Sequence, residues 1–102
     1  MRILNLTTIP ATPDQQTAGL VDLTPAKNDR LCRLMSFDTL PTPAVLLDRA
    51  TQIAQFAAQN RHGADAALIL GPPCLVGPLT TALRAYGLQP MFAHGANFFP
   101  AL

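Results

Sequence analysis

The spacing of apolar residues changes several times along this chain, and each change marks an element. Leu46, Ala50, Ile53 and Ala57 recur at i, i+4, i+7 and i+11, with Leu47 and Phe56 widening the stripe. Asp48, Arg49, Gln52, Gln55 and Gln59 take the other side, so the spacing predicts an amphipathic helix from Pro43 to Asn60, closed by His62-Gly63. Asp65-Ala-Ala-Leu-Ile-Leu70 then runs apolar without alternation, as a strand covered on both faces does. Upstream, Leu31, Leu34 and Met35 share a helical face over Pro25 to Phe37, with Arg30 and Arg33 off that face. Shorter runs predict strands at Arg2–Thr8, Leu20–Leu23 and Gln89–Ala93. A helix over Cys74–Tyr86 is stopped by Gly87, and a short one from Pro13 to Ala18 by Gly19.

Three Thr-Pro pairs, at 12–13, 24–25 and 42–43, reinforce the helix starts. Threonine accepts a hydrogen bond from an unpaired first-turn amide, and proline at the first helical position loses no bond. Gln15, three residues after Thr12, completes a weak capping box. Strands alternating with helices predict an α/β fold: a small three-layer Rossmann-like parallel sheet with right-handed crossovers and helices on both faces. Residues 1–93 form this single domain. The remainder, HGANFFPAL (94–102), shows no period.

Composition narrows the function classes. Apolar residues make up 49% and charged residues 13% of 102 positions, so much of the surface is uncharged and a homodimer is expected. A net charge of +1 supplies no general basic field, which argues against duplex nucleic acid as a partner. No window approaches the roughly 18 apolar residues of a membrane span, and the start MRILNLTTIP lacks a signal-type apolar core. Cys32 and Cys74 have no metal-type spacing. The expectation is a cytoplasmic protein with reduced thiols, no bound metal, no cofactor and no membrane partner.

In an open parallel sheet, ligands lie outside the carboxyl ends of the strands. Those ends are Thr7-Thr8, Gly71-Pro72-Pro73 and Phe92-Ala93-His94. Gly71 lets a backbone approach an anion, and the amides of Cys74, Leu75 and Val76 would point toward it from the next helix start. Pro72 and Pro73 remove two donors, and no Gly-Lys-Ser/Thr or GxGxxG pattern is present, so a triphosphate or dinucleotide cradle is disfavoured. The loop is then either a stiff corner or one wall of a pocket for a ligand with few phosphates. Thr7 and Thr8 offer hydroxyls to such a ligand, or simply satisfy the strand end. Cys74 reads as a buried structural cysteine. His94 is the histidine placed to meet a ligand, whereas His62 reads as a cap for helix carbonyls. Arg30 and Arg33 read as solvated-face residues, and Arg84 as a complement to its helix dipole.

Taken together, MRILNLTT with its Thr-Pro-Asp-Gln, Phe37-Asp-Thr-Leu-Pro41, Gly63-Ala-Asp-Ala-Ala-Leu-Ile-Leu-Gly-Pro-Pro73 and Ala82-Leu-Arg-Ala-Tyr-Gly-Leu-Gln-Pro-Met-Phe-Ala93 resemble the small CRISPR-associated Rossmann-like proteins of type III systems. These are grouped with CARF-type sensors and ring nucleases. The resemblance implies a homodimer that binds a cyclic oligoadenylate, cyclic tetra-adenylate-like, across its two-fold axis. Thr7, Thr8, Gly71, Pro72, Cys74, Leu75 and His94 would then form the ligand site. It further implies either metal-independent cleavage by the ligand's own 2′-OH or non-catalytic sensing, with no catalytic residue assigned. A dimeric interaction subunit is the alternative outside ligand chemistry. The family pattern continues after Ala93 with a serine- and arginine-bearing segment, so residues 94–102 are expected to be a divergent or truncated tail.

Overall fold

A computed structural model describes residues 2–101; Met1 and Leu102, the ends of the expected domain and tail, lie outside the described residues. The elements run β1 (Ile3–Leu6), α1 (Pro13–Thr17), β2 (Leu20–Val21), α2 (Pro25–Met35), α3 (Pro43–Gln59), β3 (Ala66–Ile69), α4 (Pro73–Ala85), β4 (Gln89–His94) and β5 (Asn97–Pro100). The sheet order is β2-β1-β3-β4-β5. The first three pairings are parallel and β4–β5 is antiparallel. The fold is therefore α/β with a five-stranded, mostly parallel sheet.

All three Thr-Pro helix starts are present. Thr12 accepts from the Gln15 amide while Gln15 reaches back to the Thr12 amide, a complete capping box. Thr42 accepts from Val45, whereas Thr24 makes no side-chain cap bond. At the other end of α3, the Asn60 amide and side chain both donate to the carbonyl of Phe56. This corrects the capping role expected of His62. That residue is exposed at φ +49°, and its own carbonyl accepts from Arg2 Nη1 at 2.8 Å.

The two sheet faces are covered unequally. Leu4, Leu6, Ala67 and Ile69 pack against Leu31 of α2, Ile53, Ala54 and Ala57 of α3, and Leu75, Leu79 and Leu83 of α4. Fully burying each such leucine or isoleucine contributes about 1.5–3 kcal/mol, so this face dominates stability. The opposite face presents Ile3, Leu20, Ala66, Leu68 and Met91, covered partly by Ala11 and Phe98. The five-residue α1 buries none of its own residues, so the third layer is thin.

Residues 97–100, expected to lack regular structure, pair with β4 as Met91–Pro100, Phe92–Phe99, Ala93–Phe98 and His94–Asn97. The two-residue turn Gly95-Ala96 makes this possible. Gly95 sits at φ +61° and Ala96 does not share the positive value, the pattern of a type II′ hairpin with glycine first. Ala101 extends the ladder, donating to the Pro90 carbonyl at 2.9 Å and accepting from Arg84. Arg84 thus holds the end of the hairpin to α4, a contact its dipole reading did not contain.

Candidate functional site at the carboxyl rim of the sheet

The chain leaves β1 toward β2 on one side and reaches β3 on the other, so the topological switch point lies between β1 and β3. A crevice at the carboxyl edge is expected there. In register, Leu6 lies opposite Ile69, so Thr7-Thr8 and Leu70-Gly71 leave the sheet side by side.

The loop after β1 is organised by Asn5, a polar residue only 5% exposed within an apolar strand. Its Oδ1 accepts from the Thr7 amide (3.0 Å) and the Thr7 hydroxyl (2.6 Å). Its Nδ2 donates to the Ile9 carbonyl (2.7 Å) and to Asp22 Oδ1 (2.8 Å). Asp22, just past β2, also accepts from the Ala11 amide. A side-chain oxygen bonding the amide two residues on turns the chain out of the strand, which is why β1 stops at Leu6 and not at Thr8. Thr8 then adopts φ +66°, a left-handed conformation disfavoured for a β-branched residue, with its hydroxyl donating to the Thr7 carbonyl.

The loop after β3 is built differently. Gly71 has no positive φ, and a Cβ added there would meet nothing within 4 Å, so neither backbone nor packing demands glycine. Pro72 and Pro73 carry no N–H, and the Leu75 and Val76 amides both donate to the Pro72 carbonyl, at 2.9 and 3.3 Å. Cys74 retains the only first-turn amide without such a bond among the described residues. An amide cradle for an anion is therefore absent at this corner.

The two loops share one cavity of about 350 Å³, lined by Thr7, Thr8, Ile9, Leu70, Gly71 and Pro72, and by Cys32, Met35 and Ser36 of α2. Four of the residues singled out in the sequence, Thr7, Thr8, Gly71 and Pro72, are thus brought together. Three are not. Leu75 is fully buried in the core with its amide engaged, so it offers a ligand nothing. Cys74 is exposed, correcting the buried role expected of it, and does not line the cavity. His94 stands exposed at the β4–β5 hairpin, outside this lining, because the chain turns back at Gly95.

Across the crest formed by Thr7, Ile9 and Leu70 lies a smaller, mainly apolar cavity of about 200 Å³, which also includes Leu20, Leu68 and Phe92. Gln15 borders it and donates to the Gly95 carbonyl, tying the α1 segment to the hairpin.

Sequence reasoning missed Asn5 and the α2 contribution. An asparagine flanked by Ile3, Leu4 and Leu6 was a readable signal, because a buried polar side chain needs partners. Cys32, Met35 and Ser36 gave none, since their place in the cavity depends on how α2 docks.

The lining of the β1–β3 cavity contains no carboxylate, imidazole or guanidinium. No group of three or more His, Cys, Asp or Glu side chains is placed to hold a metal among the described residues. What the cavity offers is shape, hydroxyls and apolar contact, which suit binding and positioning more than acid–base work. No protein-family model, curated protein or solved structure matches this chain.

Proposed function

We propose that this chain binds a cyclic oligoadenylate of the tetra-adenylate kind at the β1–β3 rim, acting as a homodimer in type III CRISPR defence. The reading rests on the resemblance in sequence, and one observation carries it further. The loops after β1 and β3 flank the switch point and line a single cavity, with an unneeded glycine at its wall. At about 350 Å³ that cavity is near the small end of ligand pockets, which run from about 300 to 1,000 Å³. A four-nucleotide ring outgrows it, so two copies related by a two-fold axis would share one ring.

Cleavage in such a site needs no protein nucleophile. The ligand's ribose 2′-OH attacks the adjacent phosphorus, forming a 2′,3′-cyclic phosphate and releasing the 5′-oxygen, while the protein holds the two in line. A non-catalytic sensor is the second reading, and a specific observation favours it. The Thr7 hydroxyl donates to Asn5 and the Thr8 hydroxyl to a carbonyl, which leaves neither proton free for a developing phosphate charge.

Incubation with cyclic tetra-adenylate in EDTA separates the two: linear products identify a ring nuclease, binding without products a sensor. Gly71→Val fills the open space at the wall and is expected to abolish binding while leaving the melting temperature within about 2 °C of the parent. Failure of the parent to bind any cyclic oligoadenylate overturns the proposal and leaves the interaction subunit.

A further inference from the structure

The chain has seven basic side chains, and their partners divide them sharply. Four arginines are occupied by backbone carbonyls. Arg2 donates to His62, and Arg49 donates through one nitrogen to Arg33, Leu34 and Ser36. Arg61 donates to Ala64, Tyr86 and Gly87, and Arg84 to Ala101. The remaining three, Lys27, Arg30 and Arg33, all lie on α2 and have no hydrogen bond or ion pair among the described residues.

Arg30 and Arg33 are one turn apart and both exposed, the former with its guanidinium 5.8 Å from the centre of the Phe56 ring. With Arg49 they line an open groove of about 730 Å³ that also contains Asp38 and Asp48. Asp48 is held by Gln52 at 2.7 Å and Arg49 lies over the Phe37 ring, while Asp38 is the one carboxylate of the groove lining with no hydrogen bond or ion pair among the described residues. Cys32 and Ser36 line both this groove and the β1–β3 cavity, which makes the two spaces neighbours along α2.

We propose that Arg30 and Arg33 form an anion track, binding phosphodiester groups of a ligand whose other part occupies the strand-end cavity. The inference deepens the proposed function and rests on it for the identity of the ligand. A cavity without a cation gains phosphate contacts from the adjoining helix, and guanidinium matches phosphate oxygens by paired, charge-assisted hydrogen bonds. Arg30 rests on the Phe56 ring and Arg33 sits in the last turn of α2, where the helix dipole favours a cation, yet neither has its N–H donors occupied, which leaves those donors available to phosphate oxygens.

The test compares the parent, Arg30→Gln/Arg33→Gln and Lys27→Gln, which removes an α2 charge outside the groove lining. Binding of cyclic tetra-adenylate and of linear 5′-phosphorylated tetra-adenylate is measured between 50 and 200 mM salt. Two lost phosphate contacts should weaken binding by at least about tenfold and flatten the salt dependence by about 1.4 in log–log slope, as for single strands. Lys27→Gln should change neither, and the double variant should melt with the parent. Equal affinity and slope in the double variant overturns the track, and the proposed function still stands if Gly71→Val has lost binding. Binding of the linear probe alone, with loss in the double variant, keeps the track and overturns the cyclic reading. Binding of neither probe by the parent overturns both.

Discussion

The loops after β1 and β3 end adjacent parallel strands at the same rim, yet they are fixed by different physics. The first is held by hydrogen bonds that converge on one side chain, Asn5, and reach Asp22 beyond β2. The second is held by the fixed ring torsions of Pro72 and Pro73 and by a first helical turn closed on the Pro72 carbonyl. One wall of the cavity is thus a network with a single hub, and the other is stiff without side-chain partners. A network fails when its hub is removed, whereas a covalently restricted turn changes little when one residue is replaced. The cavity's geometry should accordingly be far more sensitive to substitution on the β1 side.

Asn5→Ala is the harshest test of that contrast. It removes four hydrogen bonds at a nearly buried position, leaving Asp22 with only the Ala11 amide and the Thr7 hydroxyl with only Ile9 as partners. The expected loss is about 2–3 kcal/mol in denaturant unfolding, with faster amide exchange at Thr7 and Ile9. Pro72→Ala should cost less than about 1 kcal/mol, mostly by loosening the unfolded chain, and should leave exchange in α4 unchanged. A cost equal to that of Asn5→Ala would erase the distinction. The smallest effect is a gain. Thr8→Gly relieves a left-handed β-branched residue and should raise stability by about 0.5 kcal/mol, after glycine's own entropy is counted. Thr8→Val should show no such gain, because the strain is in the backbone.

The elements themselves were legible in the sequence because their signals are local. Thr-Pro starts, a 3.6-residue stripe through Ile53 and Ala57, and an unbroken run at Ala66–Ile69 each need only neighbours along the chain. The rim follows from strand–helix alternation alone, which is why Thr7, Thr8, Gly71 and Pro72 converge, and the two threonine hydroxyls do bond strand-end backbone, but the Asn5 hub is not readable from that alternation. What lay beyond reach was non-local. Asn5 needs Asp22, seventeen residues away, and Ser36 enters the cavity only once α2 has docked. Cys74 and Leu75 adjoin the rim in sequence, but helix geometry turns the first to solvent and the second into the core. The β5 hairpin was missed for another reason. Its strand is four residues long, and alternation between half-buried Phe98 and exposed Phe99 is too brief to register as a period.

In the proposed function, the strand ends of β1 and β3 form one ligand cavity. Titration of ¹⁵N-labelled protein with cyclic tetra-adenylate tests it most directly. Saturable shifts are expected at the amides of Thr7, Thr8, Ile9, Leu70 and Gly71, joined by Cys32 and Ser36 of α2. Shifts confined to the opposite strand ends, near Gly19, Asp65 and Leu88, or no shifts at all, would contradict it.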